Sequence, residues 1–262
     1  METNRLGVRQ RDKYKIKLQY VGTRYHGWQA QKDLLTVQAV VSDCLSRLAG
    51  DHVSVIGASR TDAGVHALGQ VAHFQFRPRP SIPDLQRTLN AVLPWDIRIM
   101  ELETAHRRFH ARWHATHKRY DYRIYNGSIL PPFLYQRVHH EPQPLDASAM
   151  GKAARLLEGT QDFSAFAATS SRVSNSVRTL LRSTVIQRRD EIVYRVVGTG
   201  FLHHMVRNIV GTLLEVGLGQ RTPEDVQGIL EGKDRTQAGP TAPPEGLYLV
   251  RIWYDRVWSQ RS

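Results

Sequence analysis

The chain has 262 residues, 41 % of them hydrophobic and 23 % charged, which excludes a disordered or fibrous protein and fits one large domain or two small ones. Thirty-six Lys and Arg against 24 Asp and Glu leave a net charge of +12, an excess that steers polyanions toward the surface, as nucleic-acid binding requires. No apolar run approaches the roughly 20 residues of a membrane span, the polar first residues lack a secretory signal's apolar stretch, and Cys44 is the single cysteine, so a cytoplasmic protein away from membranes is expected.

Residues 1–13 read as a basic N-terminal extension. Tyr14, Ile16, Leu18 and Tyr20 then alternate with Lys15, Lys17 and Gln19, the period of a half-buried strand. After a loop with Gly22 and Gly27, Val37, Val40, Val41, Leu45 and Leu48 fall at helical spacing, with Thr36 placed to cap and Gly50 to stop. Strand segments follow near Val53–Ile56 and Gln70–Phe76. A short helix is predicted over Pro83–Val92, with its proline in the first turn, and another strand over Ile97–Leu102.

The second half repeats these element types without clear sequence similarity. Tyr120, Tyr122 and Ile124 share one face of a strand, and Arg119, Asp121 and Arg123 share the other. Met150, Ala153, Ala154 and Leu157 mark a helix that Gly159 can end. Val177–Gln187 and Ile192–Val197 read as strands joined by a polar turn. Val206, Ile209, Val210, Leu213 and Leu214 mark a helix to Gly217, Thr222-Pro223-Glu224-Asp225 starts another, and Leu247–Tyr254 returns as a strand. Strands grouped in hairpins rather than in strict β-α-β alternation predict an α+β fold of two lobes, each a mostly antiparallel sheet with helices on one face. The seam falls near residues 103–113, giving lobes 14–112 and 113–262 of one catalytic unit.

Several sharper signals fail on spacing. In Gly198–His204, His203 stands where a dinucleotide fingerprint needs its third glycine, and packing glycines explain the segment. Gly228–Lys233 is one residue short of a P-loop and reads as a helix end. His106, His110 and His114 recur every fourth residue, as a helical metal site would, but Arg107, Arg108 and Arg112 repel a cation, and a basic RNA-facing segment is the more natural reading. No GxSxG elbow anchors a hydrolase triad. Basic residues also recur beside aromatics, as in Arg24-Tyr25, Lys118-Arg119-Tyr120 and Arg251-Ile252-Trp253, the mixture that looped RNA asks for.

Gly57–Phe74 differs in kind. Asp62 stands between the small Thr61 and Ala63, with Arg60 two positions before it and Gly64 two after, so its carboxylate is open to close approach. A carboxylate beside arginine is available as a nucleophile. An Asx-turn aspartate paired with a neighbouring arginine is the commoner arrangement, and on these eighteen residues alone it is the preferred reading.

The segment SRTDAGVHALGQVAHF resembles the nucleophile motif of the tRNA pseudouridine synthase I (TruA-type) family. Four further blocks resemble that family in order: YVGTRYHGWQ from Tyr20, KRYDYRIYN from Lys118, GTGFLHHMVRNIVG from Gly198 and APPEGLYLV from Ala242. The likeness runs from about residue 14 to 254, with Ser59 standing where glycine is frequent. It implies that Asp62 is the catalytic aspartate, that Arg60 displaces the target base and holds phosphate, and that Arg207 pairs with Asp62. It further implies that Tyr120 stacks on the uracil and Leu247 closes the base pocket; His66 is included as a substrate-binding residue of the same motif. The implied activity is isomerisation of uridine to pseudouridine at positions 38 to 40 of the anticodon stem-loop of tRNA, by a homodimer with a basic cleft around Asp62. Moving the glycosidic bond from N1 to C5 needs no redox step, group donor or energy input, so no cofactor and no metal are expected. The competing reading is a tRNA-binding chaperone on the same fold; intact Asp62, Tyr120 and Arg207 favour the enzyme.

Overall fold

The computed structural model describes residues 12–169 and 175–259, so most of the N-terminal extension lies outside the described residues. Chain order gives β1 (Asp12–Tyr20), α1 (Val37–Ala49), β2 (Ile56–Gly57), β3 (His66–Phe76), α2 (Ile82–Val92) and β4 (Ile97–Thr104) in the first half. The second half holds β5 (Ala115–Tyr125), β6 (His139–His140), α3 (Ala147–Leu156), β7 (Gly159–Asp162), β8 (Val177–Arg188) and β9 (Glu191–Gly198). It closes with α4 (Met205–Gly217), α5 (Pro223–Gly232), β10 (Leu247–Tyr254) and α6 (Arg256–Ser259).

Local chemistry sets the element ends. Thr36 accepts from Ala39 N–H at the start of α1, and Gly50 ends it in the left-handed region at φ 65°. Thr222 and Asp225 exchange both bonds of a capping box at α5, behind Pro223. Val37, Val41 and Leu45 form the buried stripe of α1, each contributing about 1.5–3 kcal/mol of apolar burial.

The fold is α+β with a mostly antiparallel sheet, as the hairpin grouping predicts. The strands of the two halves are, however, continuous in a single sheet of order β4-β1-β3-β10-β5-β9-β8-β7, with β2 added to β3 and β6 to β5. The join is β10, parallel to β3 on one side and antiparallel to β5 on the other. Paired residues share a face. Tyr20, Ala67, Leu249, Tyr120 and Val196 therefore line up across the join on one side, all buried. His66, Tyr248, Asp121 and Arg195 line up on the other side. Helices α1 and α2 touch each other, and α3 packs on β8 and against α4 and α5.

Candidate active site

Asp62 lies on the loop between β2 and β3, and that loop is clamped from both flanks. On one side Trp28 N–H donates to Thr61 O (3.0 Å), Gly64 N–H donates to Tyr25 O (3.2 Å), and the Tyr20 hydroxyl pairs with Thr61 Oγ1 (2.8 Å). On the other, Gln70 Nε2 donates to Ser59 O (2.7 Å) and Ala58 N–H donates to Val71 O (2.8 Å). The close approach depends on Gly27, at φ 85°, where a Cβ would stand 2.5 Å from Thr61 O.

Three side chains from one turn converge on the carboxylate. Arg207 Nη1 is 3.4 Å from Asp62 Oδ2, His204 Nε2 is 3.6 Å from Oδ2, and His203 Nε2 is 3.5 Å from Oδ1. Consecutive side chains ordinarily diverge; here His204 takes φ 59° just ahead of α4, which turns both imidazoles toward one acid. Burial lowers the His204 pKa more than the Asp62 charge raises it, so this ring is neutral at pH 7 and Arg207 is the permanent cation at the site. Arg207 is itself anchored, its Nε donating to Ala242 O (2.7 Å). The strand of chain carrying Ala242 is drawn onto α4 by Asn208, fully buried, whose Oδ1 accepts from Thr241 Oγ1 (2.7 Å) and Arg235 Nη2 (3.2 Å).

Asp62 faces a cavity of about 840 Å³ whose wall includes Arg60, Tyr120, Arg207 and Leu247, so five of the six residues expected from the sequence meet there. The Tyr120 hydroxyl pairs with Ser59 Oγ (2.8 Å), and Lys118 Nζ donates to Ser59 Oγ (3.3 Å) and Ala58 O (2.9 Å). Phe201 meets the Tyr120 ring edge-on at 5.0 Å, so the ring is fixed on two sides. Burial pushes the phenol up to about 12 and the Lys118 ammonium down to about 8. Arg60 is exposed at the mouth, its Nε donating to Gln29 Oε1 (3.2 Å).

His66 is the exception. It lies on the opposite side of the sheet from Tyr120 and Leu249, 1 % exposed, stacked on Tyr248 at 4.7 Å and accepting from Gly22 N–H at Nδ1 (3.0 Å). Burial lowers its pKa to about 4, so it is a neutral packing residue beneath the loop rather than a group in the cavity. Between Leu18 and Tyr20 the pairing gains one residue on the β3 side, so Ala67 rather than His66 shares the face of Tyr20.

The sequence reading missed His203, His204, Lys118 and Phe201. The signal for the first two lies in Gly198–His204, which the family resemblance covers but from which it assigns a role to Arg207 alone. Among the described residues, Asp62, His203 and His204 are the one grouping whose ligand-type atoms, all within 4.8 Å of one another, could hold a metal ion; Arg207 supplies positive charge at the same oxygen. The histidines at 106, 110 and 114 do not share a helix face: each Nδ1 accepts a backbone N–H within the segment, from Arg108, from Arg112 and Trp113, and from His110.

A clamped carboxylate with a fixed guanidinium, an aromatic wall, an apolar floor and a basic mouth has the parts that chemistry on an extruded nucleobase needs. A family described as tRNA pseudouridine synthase matches residues 17–114 and 153–255. The chain is 46 % identical over 239 residues to a tRNA pseudouridine synthase A of a Thermoanaerobacter species, covering 91 % of this chain and 98 % of the relative. It is 45 % identical to that of Acetivibrio thermocellus, over 92 % of this chain and 98 % of the relative. To the Francisella tularensis subsp. holarctica protein it is 39 % identical, over 95 % and 96 %. The chain belongs to the tRNA pseudouridine synthase family, and it is an isomerase acting on tRNA. No helix among the described residues is long and apolar enough to cross a membrane.

Proposed function

We propose that this enzyme isomerises uridine to pseudouridine at positions 38 to 40 of the tRNA anticodon stem-loop, with Asp62 as the nucleophile. It works as a cytoplasmic homodimer. The observation that carries the catalytic assignment is the Asp62 carboxylate, held against Arg207 at the wall of a cavity that also presents Tyr120 and Leu247.

The reaction breaks the N1–C1′ bond, turns the uracil and forms the C5–C1′ bond; the proton lost from C5 is balanced by one gained at N1. The detached ring must stay in place while it turns, and Tyr120 and Leu247 offer a stacking face and an apolar floor. Arg60, exposed at the mouth, displaces the base from its stack and holds phosphate. Unstacking costs a few kcal/mol, which phosphate contacts offset. Arg207 orients the attacking oxygen.

The test is tritium release from tRNA labelled at C5 of uridine, with the modified positions mapped by primer extension. Asp62→Asn keeps the size and removes the charge, so release should vanish while tRNA binding persists. Substantial turnover by Asp62→Asn, after excluding deamidation, would place the nucleophile elsewhere; wild-type product outside positions 38 to 40 would reject the stem-loop assignment alone.

A further inference from the structure

We propose that Trp113 is a stacking platform for a second, unpaired nucleobase of the RNA, next to the one that enters the cavity. The inference rests on the reading of the cavity as the site of an RNA uridine.

Trp113 is 77 % exposed, yet its ring is not loose. It lies on the His110 imidazole with centroids 3.8 Å apart and planes 9° from parallel. His110 Nδ1 accepts from Arg112 N–H and Trp113 N–H (3.2 Å each), so that imidazole fixes the turn as well as the ring. Behind it His110 meets the buried His73 edge-on at 4.8 Å, and His73 Nδ1 accepts from Ala111 N–H (3.1 Å). The indole is thus the outer member of a stack rooted in the core, with one face toward His110 and the other free among the described residues. A rigid, solvent-facing aromatic plane offers stacking area at little cost in conformational entropy.

Its surroundings select the occupant. Arg107, Arg108 and Arg112 are exposed, and none makes a side-chain hydrogen bond or ion pair with another described residue. Arg112 also lines the cavity, which puts the platform one residue along the chain from the mouth. An aromatic plane among unpaired guanidinium groups, on a chain of net charge +12, fits a base together with its flanking phosphates. An apolar protein surface would bury those cations without partners.

The experiment uses the full-length protein and synthetic stem-loop RNAs carrying the target uridine, one intact and others abasic at single positions beside the target. Both kcat/KM for pseudouridine formation and Kd are measured. Trp113→Ala should lose about 5- to 100-fold in Kd and kcat/KM on the intact RNA, and Trp113→Phe should keep most of both. On the RNA abasic at the stacked position, wild type and Trp113→Ala should coincide. An unchanged Trp113→Ala, an equal loss on every abasic RNA, or a shift in its sedimentation coefficient marking a contact between copies would overturn the proposal. Wild-type protein that bound RNA but formed no pseudouridine would defeat the catalytic reading instead, and the stacking would still be decided by the Kd values.

Discussion

Arg207 serves two masters with one planar group: Nε donates to Ala242 O at 2.7 Å while Nη1 reaches Asp62 Oδ2 at 3.4 Å. A lysine carries a single nitrogen at the end of a flexible stem and cannot hold both partners at fixed angle. Arg207→Lys should therefore lower kcat by about 10- to 100-fold, the scale of a misplaced reacting group, with tRNA Kd changed less than about threefold. Single-turnover assays and filter binding on the same preparation separate the two quantities; full kcat would mean that charge alone suffices at this position. The carboxylate also has a neutral neighbour in His204, so the arginine's role is not duplicated by that ring.

Elements matter here chiefly through how they are held together. Gly27 is not part of the cavity wall, yet its backbone passes beneath Thr61 at φ 85° with room for no Cβ. Gly27→Ala should cost about 1–3 kcal/mol of stability through backbone strain and, by moving the Thr61–Asp62 step, should lower turnover as well. Denaturant midpoint and kcat measured together check this, and a stable but inactive variant would still support the clamp, whereas a fully active one would refute it. Much of this organisation was legible beforehand. The alternation at Tyr14–Tyr20 and Tyr120–Ile124, and the caps at Thr36, Gly50 and Thr222, are local signals that the fold honours. Residues Asp62, Arg60, Arg207, Tyr120 and Leu247 were picked out by the motif resemblance and do share one cavity. What sequence could not convey was non-local or conformational. Nothing in hairpin grouping says that β10 lies between β3 and β5. A register shift put His66 on the wrong side of the sheet for the cavity. The convergence of His203 and His204 needs a left-handed backbone at a histidine, which spacing alone does not advertise.

Of the histidines whose pKa burial lowers, His66 and His73 shift furthest and should make the whole molecule sensitive to acid. Burial holds both His66 and His73 at pKa values of about 4, against about 6.5 in an unfolded chain. Above pH 6.5 both states are neutral and the stability is fully present. As pH falls toward 4 the unfolded chain gains protons that the folded chain refuses, so stability declines by up to about 3 kcal/mol per histidine. His73→Asn keeps an acceptor for Ala111 N–H without a titrating ring, and should flatten the fall in urea midpoint between pH 6.5 and 4. An identical slope in the variant would assign the acid sensitivity elsewhere. The sheet itself carries a different consequence, one of timing. A ribosome releases this chain from its N-terminal end, so β1, β3 and β4 on one side and β5, β8 and β9 on the other emerge before the strand that joins them. Until Leu247–Tyr254 follows, β3 and β5 each present at the future middle of the sheet an edge that the two-residue strands β2 and β6 cover only in part, a state open to mispairing. Leu247 begins that late strand and is also part of the cavity wall. The same short segment thus seals the sheet and finishes the base pocket, and a growing chain has no complete pocket to offer a uracil until that segment has emerged.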